Sequence, residues 1–261
     1  MNAATVDARG RPRERVPWIP RQHGAWAMLS VAALLGIAAS HFDPWQLVLS
    51  VTAVSGYLAS SAGLDWIRAR RRAYLEPVVV FGAVCVASGG FLLVAFPALA
   101  VVSVIVAAAV AVTAGMARLG RPRSLVASLA QVAQAACLVP AMALLAGAGT
   151  EPAAVARATS VAALYLTGSV LVVRSMIRER GNRRFRALSI GYHVGVVLVE
   201  AWLLPAAYAV LATALVIRAV ALPALQDRLA AGSHRLRPIH LGLVEFAASA
   251  ALAAVAFLVG F

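Results

Sequence analysis

The sequence predicts an all-α fold, a polytopic transmembrane bundle of about nine helices. Hydrophobic residues make up 62% of the 261 positions and charged residues only 13%, about half the charged fraction of a soluble domain. Several apolar runs approach or exceed the roughly 20 residues that cross a hydrocarbon core as helix. A lipid-facing backbone must hydrogen-bond within a helix or a closed barrel, and the arginines fall at alternate ends of these runs.

Residues 1–23 are polar and arginine-rich, with no apolar region in their first half. They read as a cytoplasmic tail and not as a signal peptide. Charges and breakers divide the rest into spans at 24–41, 44–64, 74–95, 97–116, 124–147, 154–173, 188–203, 205–222 and 240–260. Span 1 follows "RQHGAWAML" and ends at "HFDP". Span 2 carries small residues at Ser55, Gly56, Ala59, Ser60 and Gly63, which favour close helix packing. Pro97 separates spans 3 and 4. Span 5 has Gln131 and Gln134 on one face, suited to tying helices together. Leu188 to Leu222 as one helix would run about 52 Å, too long for a core of about 30 Å, so Pro205 marks a turn between spans 7 and 8. The alternative is one kinked helix and an eight-span topology.

All 23 basic residues are arginine. With nine spans, the tail, the even-to-odd loops and the span ends beside them carry every arginine except Arg157. The positive-inside rule then places the N-terminus in the cytoplasm and the C-terminus outside. The net charge of +13 sits in short juxtamembrane loops, which suits anionic lipid headgroups and not nucleic acid. Cys85 and Cys137 lie in apolar spans without metal spacing, as small core residues do.

Polar groups collect toward one end. His23 and Trp26 share a helix face at the mouth of span 1. Asp65, Arg68 and Arg72, spaced three and four apart, stack on a helical extension of span 2, and Tyr74 and Glu76 open span 3. The loop before span 7 holds Arg174, Arg178, Glu179, Asn182 and Arg183, with His193 just inside the span. The last loop supplies His234, Arg235, Arg237 and His240. Glu200 and Glu245 fall inside spans 7 and 9, where ionisable groups are expensive and usually serve a cavity or a partner.

"RQHGAWAML", "VRSMIRERGNRRFR" and "RPIHLGLVEF" together resemble the YwiC-like family of bacterial integral membrane proteins, a likeness read over nearly the whole chain. Nine helices with polar motifs in loops 2–3 and 6–7 are also distantly similar to the UbiA-type intramembrane prenyltransferases. That likeness implies magnesium held by aspartate-rich motifs on a prenyl diphosphate. Here Asp65 stands alone for the first motif and the second has no aspartate. Magnesium on diphosphate needs carboxylates at the site, so a magnesium mechanism is disfavoured.

Three functions remain open. In the first, an anionic lipid or isoprenoid lies in a cytoplasm-facing cavity. Arg68, Arg72, Arg178, Asn182 and Arg183, with Tyr74, Glu76 and Trp26, would bind it; Asp65 or Glu245 would act as acid or base, and His23 or His193 would orient it. The second is a transporter of a small solute or ion, resting on Glu200, Glu245 and Arg218. The third is a non-catalytic membrane scaffold. No cofactor is expected, a His-ligated haem on His23, His193 or His240 being a minor variant.

Overall fold

A computed structural model describes residues 18–20, 23–231 and 238–261, with only the backbone of His23, Ala231 and Pro238. The described residues form ten α-helices joined by short turns: α1 (His23–Ala38), α2 (Trp45–Ala69), α3 (Leu75–Ala95), α4 (Leu99–Arg118), α5 (Leu125–Ala136), α6 (Leu138–Ala146), α7 (Pro152–Ile177), α8 (Arg183–Leu203), α9 (Ala206–Ala231) and α10 (Pro238–Val259). A 3₁₀ turn at Arg72–Tyr74 precedes α3. Helices α5 and α6 are one predicted span broken at Cys137. Pro140 has no N–H for the Ala136 carbonyl and its ring crowds that turn, so the helix bends there. The nine predicted spans are therefore all helical.

Seven of them are long and apolar enough to cross a membrane. The other two are α1 and α8. Helix α1 spans about 24 Å at 1.5 Å per residue, and it is enclosed by its neighbours: Val31, Ala32 and Leu35 are buried against α6, α7 and α10. Helix α8 begins with Arg183, Arg184 and Arg186, which dilute its apolar character.

Contacts between loops define two ends of the bundle. At the arginine-rich end the α4–α5 loop meets the α7–α8 loop, and the start of α8 meets the end of α9. At the other end Gln46 donates to the carbonyls of His41 and Met142. There Tyr208 Oη donates to the Gly260 carbonyl (2.9 Å) and Arg157 to that of Phe261 (3.1 Å). The five tryptophans lie within about a turn of helix ends: Trp18, Trp26 and Trp66 at one end, Trp45 and Trp202 at the other. These are the two aromatic girdles of a bilayer-spanning bundle. The chain is a multi-pass membrane protein.

Several predicted boundaries are corrected. Leu204 is extended and α9 starts at Ala206, so Pro205 does divide residues 188–222 into two helices. Helix α9 then passes Pro223 and runs to Ala231, beyond the predicted stop at 222. Asn182 caps α8 by accepting from the Phe185 N–H (3.1 Å), so this helix starts five residues earlier than the apolar pattern suggests. Helix α2 reaches Ala69 and ends where Arg70 turns left-handed (φ 54°). Arg72 therefore leaves the face that Asp65 and Arg68 share.

The central helices approach closely where side chains are small. A Cβ on Gly36 of α1 would lie 2.7 Å from Met142 Cβ and 3.0 Å from the Val139 carbonyl of α6. Replacing Gly36 with leucine should therefore destabilise the protein by about 1–3 kcal/mol through overpacking. Thermal unfolding of the purified protein in detergent checks this, with Gly24→Leu, where a Cβ meets open space, as the neutral control.

Candidate intramembrane polar site

The residues marked in the sequence separate into two groups. At the arginine-rich end most are tied to one another. Asp65 and Arg68 form an i,i+3 ion pair (3.4 Å), both about half exposed, while Arg72, Glu76 and Arg183 are exposed. Trp26 packs edge-on against Tyr57 (5.6 Å between ring centres), joining α1 to α2. Arg174 and Arg178 both donate to the Arg123 carbonyl, at 3.1 and 2.7 Å. Arg174 also pairs with Glu179 (3.3 Å), which accepts from Asn182 (3.0 Å). Partial burial, then the charges of Arg123 and Arg174, lower the Arg178 pKa. These contacts close the α7–α8 hairpin onto the α4–α5 loop. A cleft of about 140 Å³ between α2 and α4 lies nearby, lined mainly by Gly63, Leu64, Ile67, Val110 and Ala114. His23's side chain, His234, Arg235 and Arg237 lie outside the described residues, and His240 is exposed.

The second group lies between α7, α8, α9 and α10, inside the bundle. His193 is not at a helix mouth as its sequence position suggested; with α8 starting at Arg183 it is the central residue of that helix and 3% exposed. Its Nδ1 lies 2.7 Å from the Ser189 carbonyl oxygen. A carbonyl can only accept, so Nδ1 carries the proton, and in the neutral ring Nε2 presents a lone pair. Nε2 has no partner among the described residues. It faces Gly168 of α7, where a Cβ would come within 2.9 Å.

Two turns along α8, Glu200 is 5% exposed and makes no hydrogen bond or ion pair among the described residues. The phenols near it are committed elsewhere: Tyr192 donates to the Leu164 carbonyl (3.0 Å) and Tyr208 to that of Gly260. His193 and Glu200 line a common cavity of about 10 Å³ with Tyr165, Gly168, Tyr192 and Val196, room for about one water.

Deeper toward the arginine-rich end, Arg218 of α9 and Glu245 of α10 form an ion pair at 2.8 Å, with side chains 7% and 13% exposed. Arg218 Nε and Nη2 have no partner among the described residues. Tyr165 connects this pair to the cavity, its hydroxyl 2.9 Å from Ser249 Oγ and 3.3 Å from the Glu245 carbonyl. Of these groups the sequence pointed to His193, Glu200, Glu245 and Arg218. Tyr165, Ser249 and Gly168 carried no signal beyond their isolation or small size. Among the described residues no group of three His, Cys, Asp or Glu side chains could hold a metal ion.

Residues 19–143 match the family model described as YwiC-like protein. The match includes all of "RQHGAWAML" and α1 to most of α6, and stops short of both other motifs and of the α7–α10 site, so it covers less than the whole-chain likeness read from the sequence. No curated protein and no solved structure matches the chain. The likeness to UbiA-type prenyltransferases rests on the sequence pattern alone.

Removing one partner of a buried ion pair leaves the other charge uncompensated. Glu245→Gln should destabilise the protein by about 3–5 kcal/mol, whereas the double replacement Arg218→Leu, Glu245→Leu should recover most of that loss. Unfolding of wild type and these two variants in detergent checks the inequality.

Proposed function

We propose that this membrane protein, YwiC-like over residues 19–143, is a transporter that moves a small solute or ion along the α7–α10 interface. The observation that carries the reading is the run of buried ionisable side chains across the bundle. Glu200 lies about 4.5 Å along α8 from its arginine-poor end, and His193 about 15 Å from it. The Arg218–Glu245 pair follows toward the arginine-rich end. Ionisable groups in hydrocarbon are costly and mark pathways for ions or protons. A scaffold held by helix packing has no need of them, least of all with their hydrogen-bonding capacity unfilled.

The arginine-rich end faces the cytoplasm of a bacterial inner membrane in this proposal, since it gathers nearly all the positive charge. The run then leads from the outer leaflet to the inner one.

A second reading, binding of an anionic lipid or isoprenoid, is favoured by the α2–α4 cleft. It has room for a short stretch of acyl chain, and Arg68 lies one turn beyond Leu64. It ranks lower because Arg68 is paired with Asp65, and Arg174 and Arg178 are bound to the Arg123 carbonyl.

Proteoliposomes loaded with pH- and ion-sensitive dyes and exposed to a panel of ions and small solutes test the transport reading. Wild-type protein should carry at least one member of the panel, and the Arg218→Leu, Glu245→Leu double variant should carry it at least about tenfold more slowly while remaining folded. Flux equal to that of empty liposomes for every member would remove the transporter reading.

A further inference from the structure

We infer that Glu200 by itself is a proton-binding site, a carboxyl that rests protonated inside the bundle, and that the ion moved along the α7–α10 interface is the proton. The assignment deepens the transport reading; only its consequence for flux rests on that reading.

His193 and Arg218, buried in the same region, each have a partner: Nδ1 lies on the Ser189 carbonyl and the guanidinium on Glu245. Glu200 has none among the described residues, although it is 5% exposed. The groups on the helices around it supply no counter-charge. On α8 itself Tyr192 donates to the Leu164 carbonyl, and His193 lies about 10.5 Å back along the axis. On α7 Tyr165 is engaged with Ser249, and on α9 Tyr208 donates to the Gly260 carbonyl. Arg218 is neutralised by Glu245 of α10 and lies about 18 Å along α9 from the arginine-poor end, against about 4.5 Å for Glu200 on α8. An anion at Glu200 would be desolvated with nothing to compensate it. The carboxyl is therefore neutral and holds a proton.

The cavity selects the ligand. Glu200 lines about 10 Å³ of space, room for about one water, whose walls are mostly apolar side chains such as Val196, Leu211, Leu215 and Leu252. Hard divalent cations take about six oxygen ligands. This lining offers them one carboxyl and the phenols of Tyr165 and Tyr192, both already bonded elsewhere. A proton needs no such shell: it forms one covalent O–H bond and leaves the site without net charge.

Exchange balances without a further reactant. On release the Glu200 O–H bond breaks and the proton passes to a water, leaving a carboxylate and a hydronium ion; uptake is the reverse. Glu200 stands less than one turn before the end of α8, so the exchange takes place toward the arginine-poor side of the bundle.

Infrared spectroscopy of the full-length protein in detergent reads the carboxyl without any flux. At neutral pH, wild type labelled with ¹³C-glutamate should show a protonated-carboxyl C=O band that the label shifts, and Glu200→Gln should lose it. Should the glutamine variant fail to fold, Glu200→Asp should show a carboxyl band that the glutamate label no longer shifts. Absence of a label-sensitive band in wild type, or its persistence in either variant, would overturn the site. In proteoliposomes a pH-sensitive dye should report proton flux that is at least about tenfold slower in Glu200→Gln, with sodium- and potassium-sensitive dyes silent. Flux without the band removes the proton site and leaves the transporter; the band without any flux removes the transporter and leaves the proton site. The band together with flux of a metal cation and none of protons overturns the choice of ion.

Discussion

The ion pair between Arg218 and Glu245 sets the terms for the α7–α10 part of the bundle. A guanidinium in the hydrocarbon requires an anion within contact distance, and Glu245 supplies it at 2.8 Å. That requirement fixes α9 against α10, and the Tyr165 hydroxyl, held by Ser249 and the Glu245 carbonyl, fixes α7 against both. Helix α8 then enters with its polar face inward, because His193 and Glu200 cannot face lipid.

Close packing completes what the ion pair begins. Gly168 lets α7 come against the His193 ring, and Gly36 lets α1 come against α6. With those gaps removed, α1 is enclosed despite its length of 16 residues, and the main core forms along α1, α5, α6 and α7. Helices α3 and α4 instead present Val79, Val86, Phe91, Val94, Val101 and Val104 outward, as lipid-facing helices do. The polar site therefore stands in the half of the molecule beyond the family-matched segment, braced by that segment's buried helices.

The arginine-rich end plays a different part. Its charges are largely absorbed by one another's backbone and by a few acids: Arg174 and Arg178 on the Arg123 carbonyl, Arg186 on Asp227 at 2.6 Å, and Arg180 on the Gln226 amide oxygen when that amide is turned to present it. Such contacts lock the loops and helix ends of that side together. They leave fewer free donors for an anionic headgroup than the number of arginines suggests.

Sequence alone determined the class and the helical spans, because hydrocarbon thickness acts on local composition; at Pro205 it favoured a turn but left one kinked helix open, and the extended Leu204 decided for two helices. It also pointed to Glu200, Glu245 and His193, since an ionisable residue in an apolar run stands out whatever surrounds it. It misplaced His193 and Arg72, because the Asn182 cap and the left-handed Arg70 are set by backbone geometry that hydrophobic periodicity does not register. Only the tertiary structure decided that Arg218 meets Glu245, that Tyr165 joins them to the cavity, and that Glu200 has no ion-pair or hydrogen-bond partner among the described residues. Pairing in a membrane bundle depends on which helix faces meet, and that follows from packing between segments far apart in the chain.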